Sequence, residues 1–289
     1  MKVSGFSFIR NAIKYDYPIV ESIKSILPIC DEFVIAVGES DDKTNELIQS
    51  INSPKIKIID TVWDDSLRKG GEVLAKETDK AFSEVAEDSD WAFYIQGDEV
   101  IHEKYLDEIK NKMQKFKDDA KVEGLLFNYI HFYGSYDFIG DSRKWYRREV
   151  RIVRNDKSIH SFRDAQGFRK NNKLLKVKQI DAKVYHYGWV KHPEIQQAKQ
   201  KNFHLLWHDK SWIEKNIDNN TEFDYLNIDS LRQFEGEHPE VIKKRVLDKN
   251  WAFSFDPLQK CFSHKLKFLN FVEKKTGWRL GEYKNYRLI

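Results

Sequence analysis

Residues 90–103 read DWAFYIQGDEVIHE. An apolar run, Trp91 to Ile95, passes into Asp98 and Glu99 with only Gln96 and Gly97 between. A solvated charge pair needs no such strand behind it, so the order predicts a buried strand whose exit holds carboxylates fixed in space. The alternative is that the two acids only lead into a helix over Lys104 to Lys115, since acids commonly precede helices.

Upstream the same unit repeats. Val3 to Ile9 is apolar or small and ends at Arg10-Asn11, which predicts a first buried strand. After Pro18, the residues Ile19, Val20, Ile23, Ile26 and Leu27 recur at helical spacing until Pro28. Phe33 to Val37 is a second strand; its exit, ESDDKT, offers Asp41 or Asp42 as cap for a helix from Asn45 to Ile51. KIKIIDTVW is a third strand, and Gly70-Gly71 opens a helix with Val73, Leu74, Ala81, Phe82 and Val85 on one side. Strand and helix in alternation predict an α/β fold with a parallel, helix-covered sheet. Such sheets bind ligands at the carboxyl ends of their strands. Arg10, Glu39 to Asp42, Asp64-Asp65 and Asp98-Glu99 all fall on that rim. Taken singly, each is also what a polar loop would carry.

Beyond the helix ending at Lys115 the pattern changes to aromatic-rich strands: VEGLLFNYIHFYG, EVRIVRND and KLLKVKQIDAKVYHYGWV. They predict an antiparallel extension, with helices from Pro193 onward. The simplest division is one domain over 1–192 and a helical C-terminal extension, 193–289, packed on it.

The bulk numbers bound the function classes. A chain of 289 residues with 40% hydrophobic content can bury one large core. A net charge of +3, with 33% charged residues of both signs, describes a mixed surface and no dedicated nucleic-acid arm. Only Cys30 and Cys261 occur, which excludes a disulfide framework and fits a reducing compartment. No signal peptide and no run of about 20 apolar residues is evident. The expectation is a cytoplasmic protein. The basic, aromatic tail from Lys260 leaves room for peripheral contact with the inner membrane face, a docking helix being the plainer alternative. Neither a G-X-X-X-X-G-K-[ST] loop nor a G-X-G-X-X-G turn follows the first strand. His204 and His208 share helical spacing, but without the Glu of a zinc-protease motif.

Over about residues 1–190 the order and spacing of these elements resemble the GT-A fold of nucleotide-sugar glycosyltransferases, particularly the large inverting family 2. The resemblance implies a Rossmann-like, mixed and mostly parallel sheet flanked by helices. In that family the corresponding strand ends in an Asp-X-Asp motif that holds a divalent cation, Mn²⁺ or Mg²⁺, on the donor diphosphate. Here IQGDE stands in that place: Gln96 replaces the first Asp, Asp98 matches the last, and Glu99 follows. Gln96 offers hydrogen bonds to a ribose but no charge. VGESDDKT parallels the turn after strand two, where Ser40, Asp42 and Thr44 shape the loop. The usual base-reading Asp corresponds to Val37 or Gly38, and Glu39 is the candidate to take over its contacts.

LRKGGEVLAKETDKA is similar to the segment lining the donor site, with Arg68 and Lys69 turned to the diphosphate. YRREVRIVRND and HSFRDAQGFRK concentrate basic residues, of which Arg148 and Arg151 are candidate phosphate contacts by their bidentate guanidinium groups. A solvated basic strand face is the alternative. Asp164 lies where relatives carry the catalytic base, with Glu149 as substitute; His186, in KVYHYGWV, matches a late metal-ligating His, although a core histidine would read alike. Trp189 is the candidate to stack on the acceptor sugar.

The implied activity is transfer of a sugar from a nucleoside diphosphate sugar to a hydroxyl of a glycan or lipid-linked saccharide, with no nucleic acid involved. A sugar-nucleotide nucleotidyltransferase would carry a glycine-rich basic loop where FIRNAIKYDYP stands. A non-catalytic binder of anionic glycans is the third reading.

Overall fold

The computed structural model describes residues 1–64, 66–67, 70–208, 210–216 and 220–289. Asp65, Arg68 and Lys69, named above on the rim or at the diphosphate, lie outside the described residues. The first half runs β1 (Val3–Ile9), α1 (Ile19–Ile26), β2 (Glu32–Gly38), α2 (Thr44–Gln49), β3 (Ile56–Thr61), α3 (Glu72–Ser83) and β4 (Trp91–Tyr94). These four strands pair in the order β3-β2-β1-β4, all parallel. Alternate residues of each strand enter different cores. Phe33, Ile35, Val37, Trp91 and Phe93 pack toward Ile19, Ile23 and Met113. Phe6, Val34, Ala36, Ala92 and Tyr94 pack toward Val73, Ala81 and Phe82. A sheet covered on both faces requires apolar residues at successive positions, which is why the strands read as apolar runs.

The chain continues with β5 (Glu99–Ile101), α4 (Leu106–Phe116), β6 (Gly124–Tyr133), β7 (Ser135–Gly140), β8 (Arg148–Arg154), β9 (Ile159–Phe162), β10 (Gly167–Lys170), β11 (Lys173–Leu174) and β12 (Lys176–Trp189). Strand β8 adds antiparallel to β4 and β6, and β7 adds antiparallel to β6. Strands β9, β10 and β11 form a separate small antiparallel sheet. Strand β12 runs parallel to β6 and antiparallel to β5, so that His186 sits opposite Glu99 and the Tyr187 amide donates to the Asp98 carbonyl at 2.8 Å. The result is an α/β fold with a mixed central sheet. Asp98-Glu99 does not open a helix: Glu99 begins β5, and α4 starts only at Leu106.

After His192 come α5 (Pro193–Leu205), α6 (Lys210–Asn216), β13 (Leu231–Gln233), α7 (Lys243–Leu247), α8 (His264–Thr276) and β14 (Arg287–Leu288). This region is helical in its long elements, but β13 and β14 join the main sheet through β7 and β12. On α8 the rings of Phe268 and Phe271 are exposed, 62% and 60%, among Lys267, Lys274 and Lys275. Among the described residues no helix is long and apolar enough to cross a membrane, Cys30 is a buried free thiol and Cys261 an exposed one.

Candidate active site

A pocket of about 620 Å³ opens at the carboxyl ends of β1 and β4. It gathers Arg10, Gln96, Asp98, Arg151, Asp164, His186 and Trp189 from the residues singled out in the sequence, with Phe8, Tyr17, Trp63 and Lys199 in its walls. Glycines make the approach tight. A Cβ on Gly97 would lie 2.9 Å from the Ile9 side chain, and one on Gly188 would lie 2.7 Å from both Asp98 Oδ2 and His186 Nε2. Side chains at either position would push apart the elements that present Asp98.

Asp98 is 9% exposed. Its Oδ2 accepts a hydrogen bond from Lys199 Nζ at 3.1 Å, and its Oδ1 lies 3.7 Å from His186 Nε2. Burial, the largest single influence, would raise the Asp98 pKa, but Lys199, His186 and Lys191 together outweigh it and hold the carboxyl well below the usual carboxylate range. Lys199, on α5, is buried, also donates to the Gly188 carbonyl at 3.0 Å, and lies over the Tyr17 ring at 4.7 Å. Lys191 lies over the same ring at 4.9 Å, and burial lowers its pKa to about 7.

The tautomer of His186 follows from its neighbours. His131 Nε2 is 2.8 Å from the Tyr146 carbonyl, which can only accept, so that nitrogen carries the proton. Burial keeps His131 neutral, its pKa well below that of a free imidazole. Its Nδ1 is therefore an acceptor, and His186 Nδ1, 3.2 Å away, must donate to it. The remaining nitrogen of His186, Nε2, then turns a lone pair toward Asp98 Oδ1. Burial also lowers the His186 pKa, which preserves the neutral form. Two acceptors facing each other at this distance, with the Lys199 cation already on the second carboxylate oxygen, form a donor pair suited to a divalent cation. Among the described residues no group of three or more His, Cys, Asp or Glu completes a metal cage. The fit is to an ion that takes most of its ligands from phosphate and water, as Mg²⁺ does.

Asp164 sits in the turn between β9 and β10, and the flanking Arg163 and Ala165 both hold left-handed backbone, φ 57° and 61°. Non-glycine residues there are strained and are kept by their surroundings. Gln96 Nε2 donates to the Ala165 carbonyl at 3.3 Å, tying this turn to the segment that carries Asp98. Gly71 has φ 71°, and a Cβ on it would come within 2.8 Å of the Asp164 Cβ. Burial raises the Asp164 pKa against the opposing pull of Arg163 and nearby backbone N–H groups.

Other residues named from the sequence are placed elsewhere. Asp42 caps α2 through the Thr44 amide at 3.0 Å and accepts from the Lys14 amide at 2.7 Å, outside the pocket lining. Glu39 is exposed and gives its carbonyl to Arg10 Nε at 2.9 Å. Arg148 donates to Asn128 at 3.3 Å and does not line the pocket. Arg151 lines it, but its Nε and Nη2 grip both oxygens of Glu99 at 2.8 and 2.7 Å in a buried pair. Part of the basic cluster finds partners inside the chain: Arg147 pairs with Glu282, Lys170 with Asp156, and Arg154 donates to backbone carbonyls. Lys199, Tyr17 and His131 were not foreseen.

Glu149 is buried at 3% exposure with Oε2 unpartnered among the described residues, and burial pushes its pKa up to about 8. Because the folded value exceeds the ordinary 4.5, the stability it gives is full below about pH 4.5 and is lost as pH rises toward 8. We expect wild-type thermal stability to fall across that interval, at about 1.4 kcal/mol for each pH unit at most. Glu149→Gln should lack this component in melting curves taken from acid to alkaline pH.

No family model matches this sequence, and no curated protein does. Among solved structures the chain is similar to TarS of S. aureus, at 14% identity and TM-score 0.42, over 76% of this chain and 41% of that one. The 1–349 portion of TarS in complex with UDP is 16% identical at TM-score 0.42, with 76% and 68% covered. A 4-diphosphocytidyl-2C-methyl-D-erythritol synthase from Anaerococcus prevotii is 11% identical at TM-score 0.41, with 70% and 94% covered. Glucosyl-3-phosphoglycerate synthase from Mycobacterium tuberculosis, in complex with Mn²⁺, UDP and phosphoglyceric acid, is 15% identical at TM-score 0.31, with 45% and 43% covered. Scores below 0.5 carry no argument about activity. The fold itself is α/β with a mixed central sheet, and the chain spans less than half the length of the TarS structure it matches.

Proposed function

We propose that the chain is an inverting glycosyltransferase that moves a sugar from a nucleoside diphosphate sugar to an acceptor hydroxyl. The observation that carries this reading is the single pocket in which Asp98, His186, Lys199 and Asp164 meet at the strand ends. Asp98 and His186 would hold Mn²⁺ or Mg²⁺, which when bound supplies Lewis-acid neutralisation of the departing diphosphate. Asp164 takes the proton of the acceptor hydroxyl, whose oxygen forms the new bond to the anomeric carbon. The bond from that carbon to the diphosphate oxygen breaks, its electron pair leaving with the nucleoside diphosphate. Glu149, which keeps its proton to about pH 8 and lies outside the pocket lining, is the weaker candidate for base. Arg10, set 5.5 Å from the Trp63 ring, and Gln96 border the space for the nucleoside, and Trp189 that for the acceptor.

Incubation with a panel of sugar nucleotides and Mn²⁺ tests the reading. Slow release of nucleoside diphosphate from one of them is expected even without acceptor, whereas a glycan binder would release none. If the acceptor is lipid-linked, peripheral membrane contact falls on the exposed phenylalanines and lysines of α8. Co-sedimentation with anionic vesicles checks this, and recovery of the protein wholly in the supernatant contradicts it.

A further inference from the structure

Lys199 has no place in the chemistry just described, yet among the described residues it is the nearest cation to Asp98. It is buried, held at 3.1 Å from Oδ2 and at 3.0 Å from the Gly188 carbonyl, and braced by the Tyr17 ring. An ammonium has three donors. Among the described residues two acceptors take its protons, which leaves one N–H for an oxygen in the pocket.

The charges of this site can be summed. At the ion position itself the Asp98 carboxylate and the Lys199 ammonium, 3.1 Å apart, cancel, and His186, whose Nδ1 is taken by His131, adds only a ring nitrogen as donor. A divalent ion arriving alone would leave two uncompensated positive charges in a buried place, which the low local dielectric penalises. A divalent ion arriving on the doubly charged diphosphate of a sugar nucleotide adds no net charge. The diphosphate alone would leave two negative charges against the same neutral pair. Each of the two therefore needs the other because Lys199 has already neutralised the one carboxylate.

Resting on the glycosyltransferase reading, we propose that Lys199 is a built-in counter-cation of Asp98 that makes divalent-ion binding conditional on the diphosphate donor. Before metal and donor enter, it stands on the Asp98 carboxylate as a monovalent substitute. Once metal and donor enter together, its free N–H faces the phosphate oxygens.

The test is a direct titration of Mn²⁺, followed by calorimetry or by the paramagnetic signal of the free ion, at about pH 7.5 and again about one pH unit higher, so that protonation of a buried Asp98 deprived of its partner shows as a pH-dependent affinity. For the wild type we expect weak Mn²⁺ binding alone and an increase of on the order of 10²-fold when a saturating nucleoside diphosphate, chosen from UDP, GDP, ADP and CDP, is present, after subtracting the Mn²⁺ that the same nucleotide holds in protein-free solution. Lys199→Met should bind Mn²⁺ alone at least about tenfold more tightly, one factor of ten corresponding to about 1.4 kcal/mol. Lys199→Arg, which keeps the charge, should likewise bind Mn²⁺ only weakly in the absence of nucleotide, and its melting curve controls for folding. A purely structural lysine would not raise metal affinity when removed. If Mn²⁺ binds wild type and Lys199→Met alike, or binds the wild type as tightly without nucleotide as with it, the proposal is overturned while the glycosyltransferase reading stands. If none of the nucleotides binds with or without Mn²⁺, the glycosyltransferase reading itself falls, and this proposal with it.

Discussion

Replacing Asp98 by Asn should lower turnover by on the order of 10²-fold or more, the effect of removing one preorganised charge from the site where the diphosphate departs. The sequence alone suggests that folding would be untouched. The structure gives a different expectation, because Asp98 is the partner of a buried lysine. Asn keeps the shape and one hydrogen-bond acceptor but not the charge, and removing one partner of a buried ion pair costs about 3 kcal/mol or more. Both side chains are near 12% exposed, so solvent screens the pair little. The variant should therefore melt well below the wild type. Asp98→Asn combined with Lys199→Met should recover much of the melting temperature without recovering activity, since the uncompensated charge is gone but the metal-binding oxygen is not restored. Calorimetric melts and turnover of the three proteins separate the two roles. Wild-type-like turnover in Asp98→Asn would remove this residue from the mechanism.

Asp164→Asn is expected to lower turnover by about 10²- to 10⁴-fold, the range for losing a general base, while nucleoside diphosphate affinity stays unchanged. Asp164 reaches the pocket from the turn over Gly71, whereas Asp98, His186 and Lys199 form the group that would meet the diphosphate. Its raised pKa makes it a stronger proton acceptor than an exposed carboxylate. The sign of the pH dependence follows: the base works only when ionised, so the wild-type rate should climb with pH through a value raised above that of an ordinary Asp carboxyl. The variant should lack that limb. A pH profile of single-turnover transfer reads both effects, and retention of the limb in Asp164→Asn would place the base elsewhere.

The parallel half of the sheet was legible because strands covered on both faces must be apolar at every position, as Phe33 to Val37 and Trp91 to Tyr94 are. Asp98 was legible for a related reason: a charge directly after such a run is held by the sheet. What escaped detection depends on contacts between distant residues. Strand β5 is three residues long and begins with Glu99, which a reader of the sequence assigns to solvent. It is buried because Arg151, 52 positions away, grips both its oxygens while the Tyr129 hydroxyl and the Gln96 backbone amide also donate to them. The same contact explains why Arg151, a reasonable phosphate ligand by residue type, has its guanidinium engaged within the protein. Lys199 lies in PEIQQAKQKNF, where Gln196 and Gln197 are buried along with it. A polar stretch of this kind looks like a solvated helix face, and its only sign of burial is the lack of an apolar stripe opposite. His131 looked like one aromatic among many in NYIHFY, and only the β6–β12 register sets it against His186.

The most direct test of the central claim, that this pocket takes a nucleoside diphosphate beside Asp98, is a crystal structure of the wild-type protein with Mn²⁺ and the nucleoside diphosphate that binds it best. The account predicts the ion between Asp98 Oδ1 and His186 Nε2, with phosphate oxygens within hydrogen-bond reach of Lys199. A nucleotide bound on another surface, or an ion coordinated without Asp98, would contradict it.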